Sequence, residues 1–146
     1  TAPLINCYAQ NAEKVKSTIE EIVKKHEAKE GISCMTVAKG SGLEMVKMMF
    51  NKEFGKDFMK GVTAITIIDY SDASEETCLA LRKDLDSFTS LLQEFDVSNE
   101  EKFSDNSYIR CFASASEPET LSDFLIAAED AKTKMLMHMS GKIKVK

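Results

Sequence analysis

The sequence predicts an α+β fold, a two-layer sandwich in which a mixed, mostly antiparallel sheet of about five strands carries about three helices on one face. Three observations lead there. Helical periodicity recurs in separate segments with strand-like stretches between them. Residues 61–70 read GVTAITIIDY, β-branched and almost unbroken in apolar character. The last third then shifts to a period of two over consecutive stretches joined by short connections, the pattern of an antiparallel meander.

Residues 11–29 make the first helix. Ala12, Val15, Ile19, Ile22 and His26 fall on one face, Glu13 stands near its start, and Lys24, Lys25 and Lys29 crowd its end, where the helix dipole favours positive charge. Gly31 closes it. A short strand follows over residues 32–38. Ser41 and Glu44 then form a capping box for a second helix, whose buried stripe is Leu43, Val46, Met49 and Phe50. That helix bends near Gly55, with Phe54 and Phe58 continuing its apolar side.

The apolar strand within 61–70 belongs inside the sheet, because both of its faces want cover. DASE at 72–75 offers a second capping box, and the helix behind it places Cys78, Leu81, Leu85, Phe88, Leu92 and Phe95 on one face. SNEE at 98–101 starts a further short turn before a loop at SDN, 104–106. SYIRCFASAS, LSDFLIAAED and TKMLMHMSGK complete the chain as strands. The earlier strand–helix–strand stretches predict right-handed parallel crossovers.

The chain has 146 residues, 43% of them hydrophobic, which suits a single domain over 11–146 with a real core. Its formal net charge of -5, with lysines interleaved among acids, argues against nucleic-acid binding and against a cationic membrane surface. Residues 1–10, TAPLINCYAQ, carry no helical or strand period. Cys7 and Ala9 place small residues three and one positions before Gln10, as at a signal-peptidase site, so this stretch reads as a signal-peptide remnant or a flexible arm. LINC is also a loose lipobox, which would tether the domain to a membrane through a lipidated Cys7.

No stretch specifies a reaction, and no catalytic, cofactor-binding or metal-ligating set is assigned. The four cysteines, Cys7, Cys34, Cys78 and Cys111, form no CxxC pair and read as buried thiols. Cys34 and Cys111 lie inside strand patterns, where nothing local lowers a thiol pKa. His26 sits on an apolar helix face, and His138 alternates with Met135, Met137 and Met139 and so points away from them. Gly40–Gly42 joins a strand to a helix but lacks the glycines and lysine of a phosphate loop.

Asp69 and Asp72, with Ser71, flank the end of the strongest strand and are the best placed carboxylates for a small hydrolase, although turn residues look the same. Methionines cluster at Met45, Met48 and Met49 and again at Met135, Met137 and Met139, either filling the core or lining an adaptable apolar contact surface. A sheet face left open by the helices, with Thr36, Thr66, Arg110 and His138 among apolar neighbours, is the expected place for such a surface.

IEEIVKKHEAKEGISCMTVAKGSGLEMVKMM resembles the opening of a family of small exported proteins of Bacteroides-type bacteria, domain of unknown function 4252, or a sister family. Lys29, Glu30, Gly31 and Ile32 match its K-[DE]-G-V/I motif, and Ala38 and Lys39 stand where Ser-Lys is usual. With LRKDLDSFTSLLQEF and the terminal strands, the likeness spans residues 15–143. It departs at YIRCFASAS, where the family often has a lysine- and glycine-rich strand. The resemblance implies an exported α+β domain of the periplasm or outer envelope of a Gram-negative bacterium, and it transfers no site residue. The sequence thus points to a binding or structural role through an apolar, methionine-containing surface, toward a protein partner or a second copy of the chain.

Overall fold

The structure, a computed structural model, describes residues 2–95 and 107–145. The turn expected at SNEE and the loop at SDN lie outside the described residues. Helix α1 (Ala2–His26) leads to strand β1 (Ser33–Val37), then helices α2 (Ser41–Phe54) and α3 (Lys56–Lys60), and strand β2 (Val62–Asp69). Helix α4 (Glu75–Leu85) and a 3-10 segment (Asp86–Ser90) follow, and strands β3 (Gln93–Phe95), β4 (Tyr108–Glu117), β5 (Thr120–Glu129) and β6 (Lys134–Lys144) complete the sheet.

The architecture is the α+β class the sequence predicts, a mostly antiparallel sheet with helices packed against it. Among the described residues the sheet has six strands in the order β1-β2-β6-β5-β4-β3. Every pair among the described strands is antiparallel, so the expected parallel crossovers are replaced. Between β1 and β2 the helical connection breaks at Gly55, φ 91°, and the chain returns beside β1 in the opposite direction. Helix α4 carries the chain to the far edge, and the β4–β5–β6 meander walks back until β6 lies between β5 and β2. The apolar β2 is accordingly interior, as its composition requires.

Register assigns every strand residue to a face. Thr36, Thr66, His138, Leu125 and Phe112 form one row across β1, β2, β6, β5 and β4. Helices α1 and α4 and the 3-10 segment cover this face, burying Val15, Ile19, Ile22, Leu81, Leu85 and Phe88 against Ile68, Leu136, Leu125 and Phe112. The opposite face carries Val37, Ile65, Met139, Phe124 and Ala113. There α2 and α3 pack rather than on the α1 side, joining Leu43, Val46 and Met59 to Ile65 and Met139. Phe54 stacks on Phe58 at 5.4 Å, and Phe124 meets both rings edge-on.

Several local expectations need correction. Helix α1 begins at Ala2 rather than at Asn11 and runs for 25 residues. The α2 capping box does not form: Gly40 is the N-cap, without a side-chain bond, and its φ of 85° is a conformation that suits glycine. For α4 the cap comes from Ser74, whose Oγ accepts from the Thr77 N–H at 3.2 Å, and not from Asp72 with Glu75. The helix ends at Leu85 instead of running on to Phe95, and Phe95 lies in the edge strand β3. The Ser87 and Thr89 hydroxyls bond back to the carbonyls of Asp84 and Asp86 at 2.6 and 2.8 Å, which competes with a continuing α-helix.

Candidate functional site

Strand β5 alternates half-buried and buried residues along its length. Its inward register holds Leu121, Leu125 and Ala127, but also two acids, Asp123 and Glu129. A buried carboxylate needs partners, and each of these has found a set.

Asp123 pairs with His138, diagonal to it on β6: His138 Nε2 lies 2.8 Å from Asp123 Oδ1. Both side chains are almost closed to solvent, 9% exposed for His138 and 5% for Asp123. The second carboxylate oxygen of Asp123 lies 3.4 and 3.5 Å from the Ser114 and Ser122 hydroxyls, which bond each other at 2.7 Å, so one of the two is left to donate to it. Because a carboxylate only accepts, the proton of the His138–Asp123 bond sits on Nε2. No described side chain bonds Nδ1, and no buried polar atom among the described residues lacks a partner, so Nδ1 is open to the space beside it.

That space is a cavity of about 720 Å³ between the flank of α1 and the β1–β2–β6–β5 end of the sheet. It exists because the sheet residues under it are short. Ala64 and Ser140 sit opposite each other, next to the paired hydroxyls of Thr36 and Thr66 at 3.1 Å. One row along, Cys34, Ile68 and Leu136 are larger and α1 packs on them directly. Ile19 and Val23 of α1 supply the apolar wall, and the cavity opens at the β1 edge, where Thr36 and Ala38 are exposed.

Glu129 anchors the opposite end of the same sheet face. Its carboxylate receives Arg82 through Nε and Nη2, at 2.8–3.1 Å, the Tyr70 hydroxyl at 2.8 Å and a short bond from the Tyr108 hydroxyl. Burial alone would raise its pKa, but the bonds from Arg82, Tyr108 and Tyr70 outweigh burial and hold it below the ordinary carboxylate value. With every acceptor position engaged, this carboxylate serves as a clamp between α4, β2, β4 and β5.

A second surface lies on the outside of α2. Its inner stripe buries Leu43 and Val46, while Met45, Met48 and Met49 stand on the opposite side with 65%, 73% and 67% of their surface exposed. The helix therefore has two apolar faces, and the core uses one. Met35 on the edge strand β1 adds a further exposed methionine. Met137 and Met139, by contrast, are buried in the core beneath α2 and α3. The two methionine clusters thus divide between core and surface.

The other residues singled out in the sequence take structural places. Asp69 is exposed and its Oδ1 accepts from the Ser71 N–H at 2.9 Å, a local turn. The Ser71 hydroxyl accepts from the Lys134 N–H at 2.9 Å, and Asp72 is exposed, with its backbone against Gly31. His26 is fully buried: its Nε2 meets Asp84 at 2.7 Å and Lys29 lies 3.1 Å from its Nδ1. A lysine ammonium can only donate, so Nδ1 accepts and Nε2 carries the proton.

Cys34, Cys78 and Cys111 are unpaired thiols, and burial pushes those of Cys34 and Cys111 up. Arg110 was expected on an open face. Instead it clamps Glu94 with two bonds at 2.9 Å and reaches Asp86 at 3.1 Å, tying β3 and the 3-10 segment to β4. His138 does point away from the methionines, but onto the face covered by α1 rather than into open water. Thr36, Thr66 and His138 accordingly belong to the cavity floor under α1, not to an uncovered face.

Among the described residues, no group of three or more His, Cys, Asp and Glu is placed to hold a metal ion, and no helix is long and apolar enough to cross a membrane. No known protein family, curated relative or solved structure matches the chain.

Proposed function

We propose that this protein is a binding domain, and that the outer face of α2 is the surface it presents to an apolar segment of a partner protein. The observation that carries this reading is the outward stripe of Met45, Met48 and Met49 on a helix whose other side already fills the core. Unbranched, polarizable methionines suit a surface that must adapt to the shape of what it meets. A hydrolase built on Asp69 and Asp72 has less support, since both are exposed turn residues. Export to the periplasm or outer envelope belongs to the same reading and is supported by Cys7 and Ala9 before Gln10. The mature chain from the native organism then begins at Gln10 or carries a lipid on Cys7, and its intact mass decides between them.

The contact surface is tested by photo-methionine incorporation in the native cell. Cross-links map to positions 45, 48 and 49 and disappear in the Met45→Lys/Met48→Lys/Met49→Lys variant, whose fold is unchanged because all three side chains are solvent-facing. An adduct of twice the chain mass identifies the occupant as a second copy. Absence of any adduct at these positions overturns the reading.

A further inference from the structure

The buried pair His138–Asp123 is an unusual floor for a cavity that the rest of the fold leaves open, and it is independent of the methionine face. A core that needed only filling would place apolar side chains at these positions. Burying an imidazole and a carboxylate costs several kcal/mol, in order of magnitude, unless their hydrogen bonds are met. Here the pair satisfies itself on one side only. Asp123 is held by His138 and by one of the Ser114 and Ser122 hydroxyls, and the His138 ring is fixed through Nε2 with Nδ1 left toward the cavity.

We infer that the cavity between α1 and the sheet binds a small, neutral, mostly apolar molecule that donates a hydrogen bond from a hydroxyl or N–H group to His138 Nδ1. The volume of about 720 Å³ lies within the usual range for small-molecule sites, roughly 300–1,000 Å³. The walls select an apolar body: Ile19 and Val23 from α1, and Ala38 and Ala64 from the sheet. Among the polar residues of the floor, His138 selects the donor. With the Nε2 proton committed to Asp123, the neutral tautomer of the ring offers a lone pair at Nδ1.

Charge argues for a neutral ligand. An anion would approach the Asp123 carboxylate across the imidazole, and the α1 flank at the mouth mixes Glu13, Glu20 and Glu27 with Lys16 and Lys24. Entry is from the β1 edge, where Thr36 and Ala38 are exposed.

A matched pair of probes tests this, 1-naphthol as the donor and 1-methoxynaphthalene as the same body without one. With the full chain, fluorescence titration gives 1-naphthol roughly tenfold tighter binding, the upper size of one well-formed hydrogen bond. On the unsubstituted protein, the 15N resonance of His138 Nδ1 shifts with 1-naphthol and not with the ether. Ala64→Phe, which fills the floor and leaves both residues of the pair in the chain, abolishes binding of both probes. His138→Leu removes the preference and leaves binding of the ether.

Should His138→Leu fail to fold, the Nδ1 shift and the Ala64→Phe result still decide. Equal binding of the two probes, no binding of either, or binding untouched by Ala64→Phe overturns the inference.

Discussion

Glu129 shows how a single acidic residue organises this fold. Three donors, from α4, from β4 and from the residue after β2, converge on a carboxylate that is 5% exposed, so removing its charge weakens all of them. Glu129→Gln is expected to cost about 3 kcal/mol, the low end for a broken buried pair because Arg82 stays partly exposed, as measured by urea unfolding at pH 7. The folded pKa of Glu129 lies below its unfolded value. Its contribution is therefore complete above the unfolded carboxylate pKa, about 4.3, and is lost as pH falls through the folded value.

The wild-type chain should lose stability below that pH more steeply than Glu129→Gln, whereas parallel profiles would contradict the assignment. At high pH the same cluster acts in the opposite direction. Burial and the neighbouring Glu129 push the Tyr108 phenol up to about 12 and Tyr70 higher still, so their tyrosinate absorbance should appear only at strongly alkaline pH or on unfolding. The strand at LSDFLIAAED was legible, but not that its two acids face inward, since Phe124, Ile126 and Ala128 make the other register the more apolar one. Their partners were not legible either, because Arg82 lies 47 residues from Glu129 and His138 lies 15 from Asp123.

At the scale of elements, periodicity was a sound guide wherever packing and local chemistry agreed. The stripe Val15, Ile19, Ile22 and His26 buries as its spacing requires, and the final strands fall where alternation puts them. It failed after Leu85, where Phe88 and Leu92 keep a helical spacing and are buried although the α-helix has ended. Both are held by the 3-10 segment and the turn after it, and hydroxyl side chains there take up backbone carbonyls.

Two substitutions test how the elements are joined. His26 links α1 to α4 through Asp84, and His26→Leu should cost about 1–3 kcal/mol by leaving a half-buried carboxylate short of a partner. Gly61 has an ordinary φ of -81°, so its need for glycine is purely spatial. A Cβ there would lie 1.8 Å from the Lys142 carbonyl oxygen. Gly61→Ala is thus expected to lower stability by about 1–3 kcal/mol or more through overpacking of β2 against β6, read from the shift in the unfolding midpoint.

Over the whole molecule, the sheet serves two cores. One face packs under α1, α4 and the 3-10 segment and the other under α2 and α3, and the methionines report this division. Mild peroxide should oxidise Met45, Met48 and Met49 first and spare Met59, Met137 and Met139 until the chain unfolds, as peptide mass spectrometry would record. Uniform oxidation would mean that the core on the α2 side opens readily.

The sequence by itself determined the α+β class, the interior position of β2, the inward stripe of α1 and the separation of His138 from its methionine neighbours, because these follow from local period and composition. Tertiary structure alone decided the antiparallel order β1-β2-β6-β5-β4-β3, the placement of α2 and α3 on the second face, and the meeting of His138 with Asp123 above a row of short side chains. Those outcomes depend on which strands become neighbours, and the period within a strand carries no record of its partner.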